Sequence, residues 1–407
     1  VRSPGTVLHF AADWLPPSEV FVHDLVRHLD WPGVVVGANP LQHTDRFPVP
    51  VLYGLWPIER YVHPVAIRPA LTTAALSAVA WRHGVRLVHV HHGYRVEQVL
   101  GLVRRRRLPL VLSLHGHDVT GYLEQRPDAY RAVTGVVAAV IVPSRFLVAH
   151  AVAAGFDPAR IHVLPSGVDT SFFSASPLPT GPPTALFVGR FVAKKGLDTL
   201  AAAWPAVRAA VPAARLRILG FGPLEALARS IPGDVTVELA PDRHAVRAAM
   251  RSARLVVSPS HRAPDDAVES LLMVNVEAQA SGRPVVTTRH GGIPEYVVEG
   301  ETALVVEEDD PAALAAALVR VLSDDELAQR LGAAGARWAA TLDVRRTAAR
   351  VGALYDELVG EGARLGSPLP TTDAARGGAP ASARAPSADP TAGGGSGRTA
   401  AGTPEAR

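Results

Sequence analysis

The stretch Glu269–Glu295, ESLLMVNVEAQASGRPVVTTRHGGIPE, decides the fold. Its two glutamates, Glu269 and Glu277, stand eight positions apart, and an apolar helical run through Val274, Val276, Ala278 and Ala280 carries the second. Gly282 follows where a helix is expected to end on glycine. Then comes PVVTT, Pro284 to Thr288, an apolar, β-branched run suited to a parallel strand buried on both faces. Gly291-Gly292 closes it with a turn. The unit is loop, helix, strand, glycine turn.

A helix that begins near Leu272 offers unpaired N–H groups and the positive end of its dipole, a site for an anion such as a diphosphate. Glu269 lies just outside that end. Glu277 lies more than a turn inside it, on the rim of the same cleft, where a carboxylate can accept two hydrogen bonds from a ribose diol. The plainer alternative is that both are solvated charges on a helix face.

Upstream, TALFVGRFVAKKGLDTL reads as a strand from Ala185 to Val188, then Gly189-Arg190, then Lys194-Lys195-Gly196 opening a helix at Leu197. Arg190 leaves a strand end and Lys195 precedes a helix, so both cations can meet a diphosphate from the side the glutamate loop leaves open. Gly220 and Gly222 in LRILGFGPLEAL lack the third glycine of a dinucleotide fingerprint and read as a close turn beneath the donor site. The sequence has no D-x-D motif to bridge a metal to a diphosphate; Asp265-Asp266 reads as loop.

In the first half, TVLHFAA from Thr6 reads as a strand, and Ser18 can cap a helix carrying Phe21, Leu25 and Leu29. RLVHVHHG (Arg86 to Gly93) and LPLVLSLHGHDV (Leu108 to Val119) are apolar strands ending in histidines, and strand ends are where open α/β sheets bind ligands. His89 and His91 point the same way from a strand and, with His117 and Asp118, could ligate a metal as in a metal-dependent hydrolase. The alternative is histidines hydrogen-bonded around a cleft. Arg104 to Arg107 end a helix, where cations suit the dipole, or form a patch for anionic lipid or a phosphate-bearing, lipid-linked acceptor.

The 407 residues, 48% of them hydrophobic, exceed what one core holds, so two domains are expected. The net charge of +3 gives no sign of a nucleic-acid partner, and zero cysteines exclude disulfides and fit a reducing compartment. With no run of about 18 apolar residues, a cytoplasmic enzyme is expected. The division expected is a first domain over 1–173, a Pro/Gly-rich linker over 174–184, a second domain over 185–343, a last helix over 344–359 and a disordered tail over 360–407.

The glutamate pair resembles the E-x7-E signature of retaining glycosyltransferases of the GT-B fold, in the large family four, and Gly189-Arg190 with Lys195-Gly196 after four intervening residues is similar to the family's G-R…K-G pattern. Ser270 and Leu272 stand where the family usually has Gly and Pro, which leaves open a nucleotide-binding partner subunit that has lost transfer. LPPSEVF resembles a subset associated with capsule and exopolysaccharide assembly. The resemblance implies an α/β fold of two Rossmann-like domains facing a cleft, the first on the acceptor side and the second binding the nucleotide sugar with base contacts from loops near Pro241 and Ser260. It implies that the last helix crosses back to the first domain, and that a hexosyl group moves from a nucleoside-diphosphate sugar to a hydroxyl acceptor without metal or other cofactor. Catalysis then falls to His115, Arg190, Lys195 and Glu269, and donor binding to Gly189, Ser270, Leu271, Leu272 and Glu277.

Overall fold

The structure, a computed structural model, describes residues 5–14, 19–63, 65–239, 242–263 and 268–360. The expected cap at Ser18, the base contact near Pro241, the Asp265-Asp266 loop and the tail from 361 onward lie outside the described residues.

The first half runs β1 (Thr6–Ala11), α1 (Val20–His28), β2 (Gly33–Gly37), β3 (Leu52–Gly54), α2 (Trp56–Tyr61), α3 (Arg68–Arg82), β4 (Val85–Val90), α4 (Leu100–Arg106), β5 (Leu110–Ser113), α5 (Gly116–Val119), α6 (Gly121–Gln125), β6 (Ala139–Val142), α7 (Phe146–Ala153) and β7 (Ile161–Val163). Its seven strands lie in the order β3-β2-β1-β4-β5-β6-β7. The second half runs β8 (Thr184–Arg190), α8 (Leu197–Ala210), β9 (Arg215–Phe221), α9 (Glu225–Ser230), β10 (Val235–Leu239), α10 (Arg243–Ser252), β11 (Leu255–Ser258), α11 (Met273–Ala280), β12 (Val285–Thr288), β13 (Ala303–Val306), α12 (Pro311–Ser323), α13 (Asp325–Thr341) and α14 (Val344–Gly360). Its six strands take the order β10-β9-β8-β11-β12-β13. Strand pairing is parallel throughout both sheets.

Both sheets are Rossmann-like and covered by helices on two faces, which is why their strands read as continuous apolar runs. In β1, Leu8 and Phe10 face the core under α3, α4 and α7, while Val7 faces the opposite core with Leu354, Tyr355 and Leu358 of α14. The last helix therefore crosses back onto the first sheet. In the second sheet, Leu197, Leu200 and Trp204 of α8 pack with Leu314 and Leu318 of α12 on one face. Met250 of α10 and Val276 of α11 pack on the other.

Two boundaries differ slightly from the sequence reading. Strand β8 continues through Gly189 and Arg190, because both pair in register with Gly220 and Phe221, so these residues end the strand instead of following it. Helix α14 runs on through Gly360. In both sheets the order reverses at the first strand, between β1 and β4 and between β8 and β11, and ligands of such sheets bind at the carboxyl ends there.

Candidate active site

The basic motif and the glutamate loop meet at the switch point of the second sheet. Arg190 ends β8, is exposed, and its side chain has no hydrogen-bond or ion-pair partner among the described residues. A tight turn, Ala193–Lys195, then delivers Lys195 to Gly196, which sits at φ +67° with the Pro259 carbonyl oxygen 1.8 Å from where a Cβ would be. Only glycine fits there. Gly222 likewise backs onto Phe191, so the G-x-G turn packs behind the end of β8.

Lys195 Nζ lies 2.8 Å from Glu269 Oε1, and Lys194 Nζ 3.5 Å from the same oxygen. Burial would raise the Glu269 carboxyl, but the two ammoniums outweigh it and hold it at about 2. Burial also pulls Lys195 below the usual lysine range; Glu269 opposes this, while Lys194 and Arg190 add to it. The basic motif and the first glutamate are thus one cluster, with Arg190 as its exposed cation.

The loop bearing Glu269 is held from behind. Its N–H donates to His290 Nε2 at 3.2 Å, and His290 Nδ1 is 2.8 Å from Glu308 Oε1, so Nε2 accepts from the loop while Nδ1 faces the carboxylate. Gly292 N–H donates to the Glu269 carbonyl at 2.8 Å. Added Cβ atoms at Gly291 and Gly292 would lie 2.2 and 2.0 Å from the Glu269 and Ser270 carbonyl oxygens, which is why this turn is a glycine pair. His290 and Glu308 were not singled out in the sequence. The only hint was a histidine directly before the two glycines.

Helix α11 begins as expected after Leu272, which is extended and supplies no side-chain cap. Leu271 and Leu272 are buried in the apolar layer with Val276, so leucine keeps the loop in place by packing where a proline would preset its first turn. Ser258 Oγ donates to Asn275 Oδ1 at 2.5 Å and Asn275 Nδ2 to Thr287 Oγ1 at 3.1 Å, which pins the helix to β11 and β12. Glu277 is half-buried one turn further in. Burial raises its carboxyl to about 7, with Arg243 pulling down and Asp24 pushing up.

The first domain closes the cleft. Arg243 of α10 donates to both oxygens of Asp24 of α1 at 3.1 and 2.6 Å, and its guanidinium lies 4.2 Å over the Phe172 ring. An added Cβ at Gly116 would lie 2.4 Å from the Val268 carbonyl oxygen, so the turn after His115 touches the Glu269 loop directly. The Tyr296 hydroxyl donates to the Pro143 carbonyl across the same seam.

His115 caps that turn, its N–H donating to Asp118 Oδ2 at 2.7 Å. Its Nε2 is buried without a hydrogen-bond partner and borders a pocket lined by Phe21, Ser113, Pro143 and Ser166. Burial and the neighbouring His92 depress it to about 4. His92 behaves oppositely. Burial would lower it, but Glu19 at 3.0 Å and Asp118 at 3.7 Å raise it to about 10. At neutral pH the cleft wall therefore holds a neutral His115 beside an imidazolium His92.

The arrangement of His89, His91, His117 and Asp118 as metal ligands does not form. His117 is exposed, and Asp118 is spent on His92 and the His115 turn. The partner of His89 and His91 is His9 of β1, from the face that α14 covers. His9 Nδ1 lies 3.0 Å from His91 Nε2, and the two nitrogens of His89 are taken by Tyr355 Oη at 2.5 Å and Ser113 Oγ at 2.7 Å. Arg104 to Arg107 do end helix α4 on the surface, far in sequence from the donor motifs.

Two Rossmann-like sheets closed over a cleft, with cations and carboxylates gathered at the switch point, define the GT-B class of glycosyltransferases. The profile of glycosyl transferases group 1 matches residues 182–324, and that of glycosyltransferase family 4 matches residues 18–172. The chain is 30% identical, over 68% of its own length and 68% of the relative's, to the D-inositol 3-phosphate glycosyltransferase of Segniliparus rotundus. It is 32% identical, over 56% of its length, to the GDP-mannose-dependent alpha-(1-6)-phosphatidylinositol monomannoside mannosyltransferase of Mycolicibacterium smegmatis, of which the match spans 65%. Its fold is that of Anabaena HepE solved with UDP and glucose, at a TM-score of 0.72 and 17% identity over 86% of this chain and 99% of that one. The chain belongs to glycosyltransferase family 4, the glycosyl transferases group 1.

Proposed function

We propose that this protein is a retaining hexosyltransferase of glycolipid or cell-surface polysaccharide assembly, moving a hexosyl group from a nucleoside-diphosphate sugar to a hydroxyl acceptor. The anomeric carbon exchanges its bond to a diphosphate oxygen for one to the acceptor oxygen, and the acceptor proton is released. The observation that carries the reading is the Lys195–Glu269 pair beside the open end of α11, with Arg190 exposed next to it.

In this reading Arg190, Lys195 and the N–H groups of α11 receive the diphosphate as its charge grows, the work a metal would otherwise do. A donor diphosphate competes with Glu269 for Lys195 and frees that carboxylate to accept hydrogen bonds from the hexose hydroxyls. Gly189 lets the diphosphate approach the strand end, Ser270, Leu271 and Leu272 shape the sugar pocket, and Glu277 holds the ribose. Neutral His115 presents Nε2 to the reacting sugar from the acceptor side. The acceptor is lipid-linked, and Arg104 to Arg107 hold the protein to anionic lipid at the cytoplasmic face of the inner membrane. The mycobacterial relative, by its name, acts on a phosphatidylinositol mannoside, which supports an acceptor of that kind. No described helix is long and apolar enough to cross a membrane.

The test is thermal unfolding with UDP, GDP and ADP in excess chelator, on the wild type and Glu277→Ala. A nucleotide at about 100 times its dissociation constant adds roughly 2.7 kcal/mol. A shift with one nucleotide in the wild type alone supports the site; no shift with any nucleotide, or one that appears only with added metal, refutes it. The Ser270 and Leu272 departures also fit a subunit that binds donor without turning it over, and release of nucleoside diphosphate separates the two.

A further inference from the structure

Helix α3 is built against the usual pattern of a surface helix, whose outward stripe is charged. Thr72, Leu76 and Ala80 face inward and are buried, while the opposite stripe reads Leu71, Ala74, Ala78 and Trp81, all exposed. Trp81 is 77% exposed and Leu71 40%. The chain entering the helix extends the patch with Tyr61 at 69%, Val65 at 57% and Ile67 at 45%. Five of the eight large apolar side chains exposed among the described residues thus fall between positions 61 and 81. A contiguous patch of this kind marks a docking surface.

Its rim is basic. From Pro69 to Trp81 the sequence carries no charge, and Glu59 is the one acid between Trp56 and Gly84. Arg60 and Arg82 are exposed within the same segment. Arg106 Nη2 donates to the Ser77 carbonyl at 3.2 Å, which sets this arginine on the flank of α3, while Arg104 Nη2 donates to the Ala132 carbonyl at 3.1 Å; all of Arg104 to Arg107 are exposed.

We propose that this face docks on an anionic lipid bilayer, with Trp81, Leu71, Ile67, Val65 and Tyr61 entering the boundary between headgroups and acyl chains and the arginines pairing with lipid phosphates. An apolar centre with tryptophan and tyrosine at its edge suits that boundary. Two copies of the chain meeting through it would set arginine rims against each other, whereas lipid phosphates neutralise them. The inference rests on reading Arg104 to Arg107 as a membrane contact, and it adds an apolar wedge that the arginines alone do not supply.

The experiment is flotation of the full chain with phosphatidylcholine vesicles and with an equal mixture of phosphatidylcholine and phosphatidylglycerol. Quenching of tryptophan emission by brominated acyl chains is read in parallel. The wild type floats with the anionic vesicles and its emission is quenched. Trp81→Phe loses the quenching. The double variant Leu71→Ser/Trp81→Ser binds about tenfold or more weakly, and alanine at Arg104 to Arg107 weakens binding several hundredfold. If the double variant floats like wild type and quenching is absent, the wedge is wrong while the arginine contact stands. If the wild type floats with neither vesicle, both are wrong, and nucleotide binding is unaffected by that result. A dimer in sedimentation that Trp81→Ser dissolves would make the face an interface between copies and overturn the lipid docking.

Discussion

Donor binding should depend on pH through Glu277. Its carboxyl is raised to about 7 by burial, so the free protein holds it half protonated at neutral pH. A ribose diol donates two hydrogen bonds and prefers the charged acceptor. Binding therefore lowers this pKa, and affinity rises with pH until the free protein is already ionised. With a pKa of about 7, the ionised fraction goes from about 9% at pH 6 to about 91% at pH 8, so affinity should gain about tenfold, or about 1.4 kcal/mol. The ligand must be an intact nucleotide sugar, because the terminal phosphate of a nucleoside diphosphate has its own ionisation near pH 6. Neither wall histidine interferes, as His92 at about 10 and His115 at about 4 keep their charge across this window. Calorimetric titration from pH 6 to 8 on the wild type and Glu277→Gln checks it. A flat wild-type profile, or a slope that survives in the glutamine variant, refutes the assignment. A surviving slope would point to His261, which is raised above its usual value beside the Lys194 turn.

Lys195→Ala should lower kcat/KM by about 10²- to 10³-fold, the scale for losing one group that stabilises developing charge, and near wild-type turnover in a folded variant would remove Lys195 from the mechanism. Arg243→Ala leaves Asp24, whose side chain is 6% exposed, with only His23 Nδ1 at 3.5 Å beside it. It should cost about 3 kcal/mol in denaturant unfolding, and it should move the Glu277 pH midpoint upward, because Arg243 is what pulls that carboxyl down. Gly292→Ala must push the Ser270 carbonyl away and should weaken nucleotide-sugar binding more than it lowers the unfolding midpoint; unchanged affinity would show that the glycine pair does not set the loop. Transfer activity should survive excess chelator, measured as nucleoside diphosphate released, and its loss would return a metal to the diphosphate site.

The periods and motifs determined a great deal. Apolar β-branched runs such as Val285 to Thr288, short and bounded by glycine, suit strands buried on both faces, so the parallel sheets were legible, and glycine placement marked where helices end and loops close. The two motifs named the residues that meet as the Lys195–Glu269 pair. Tertiary structure decided what those residues do to one another. Glu269 is held low because Lys195, far from it in sequence, lies 2.8 Å away, and Glu277 is raised because burial disfavours its charged form. Charge state depends on burial and on neighbours within a few ångströms, and spacing in a sequence fixes neither across separate elements. The same reason hid His290 behind the Glu269 loop and gave His89 and His91 the partner His9, from a strand that only the parallel register of β1 and β4 brings alongside.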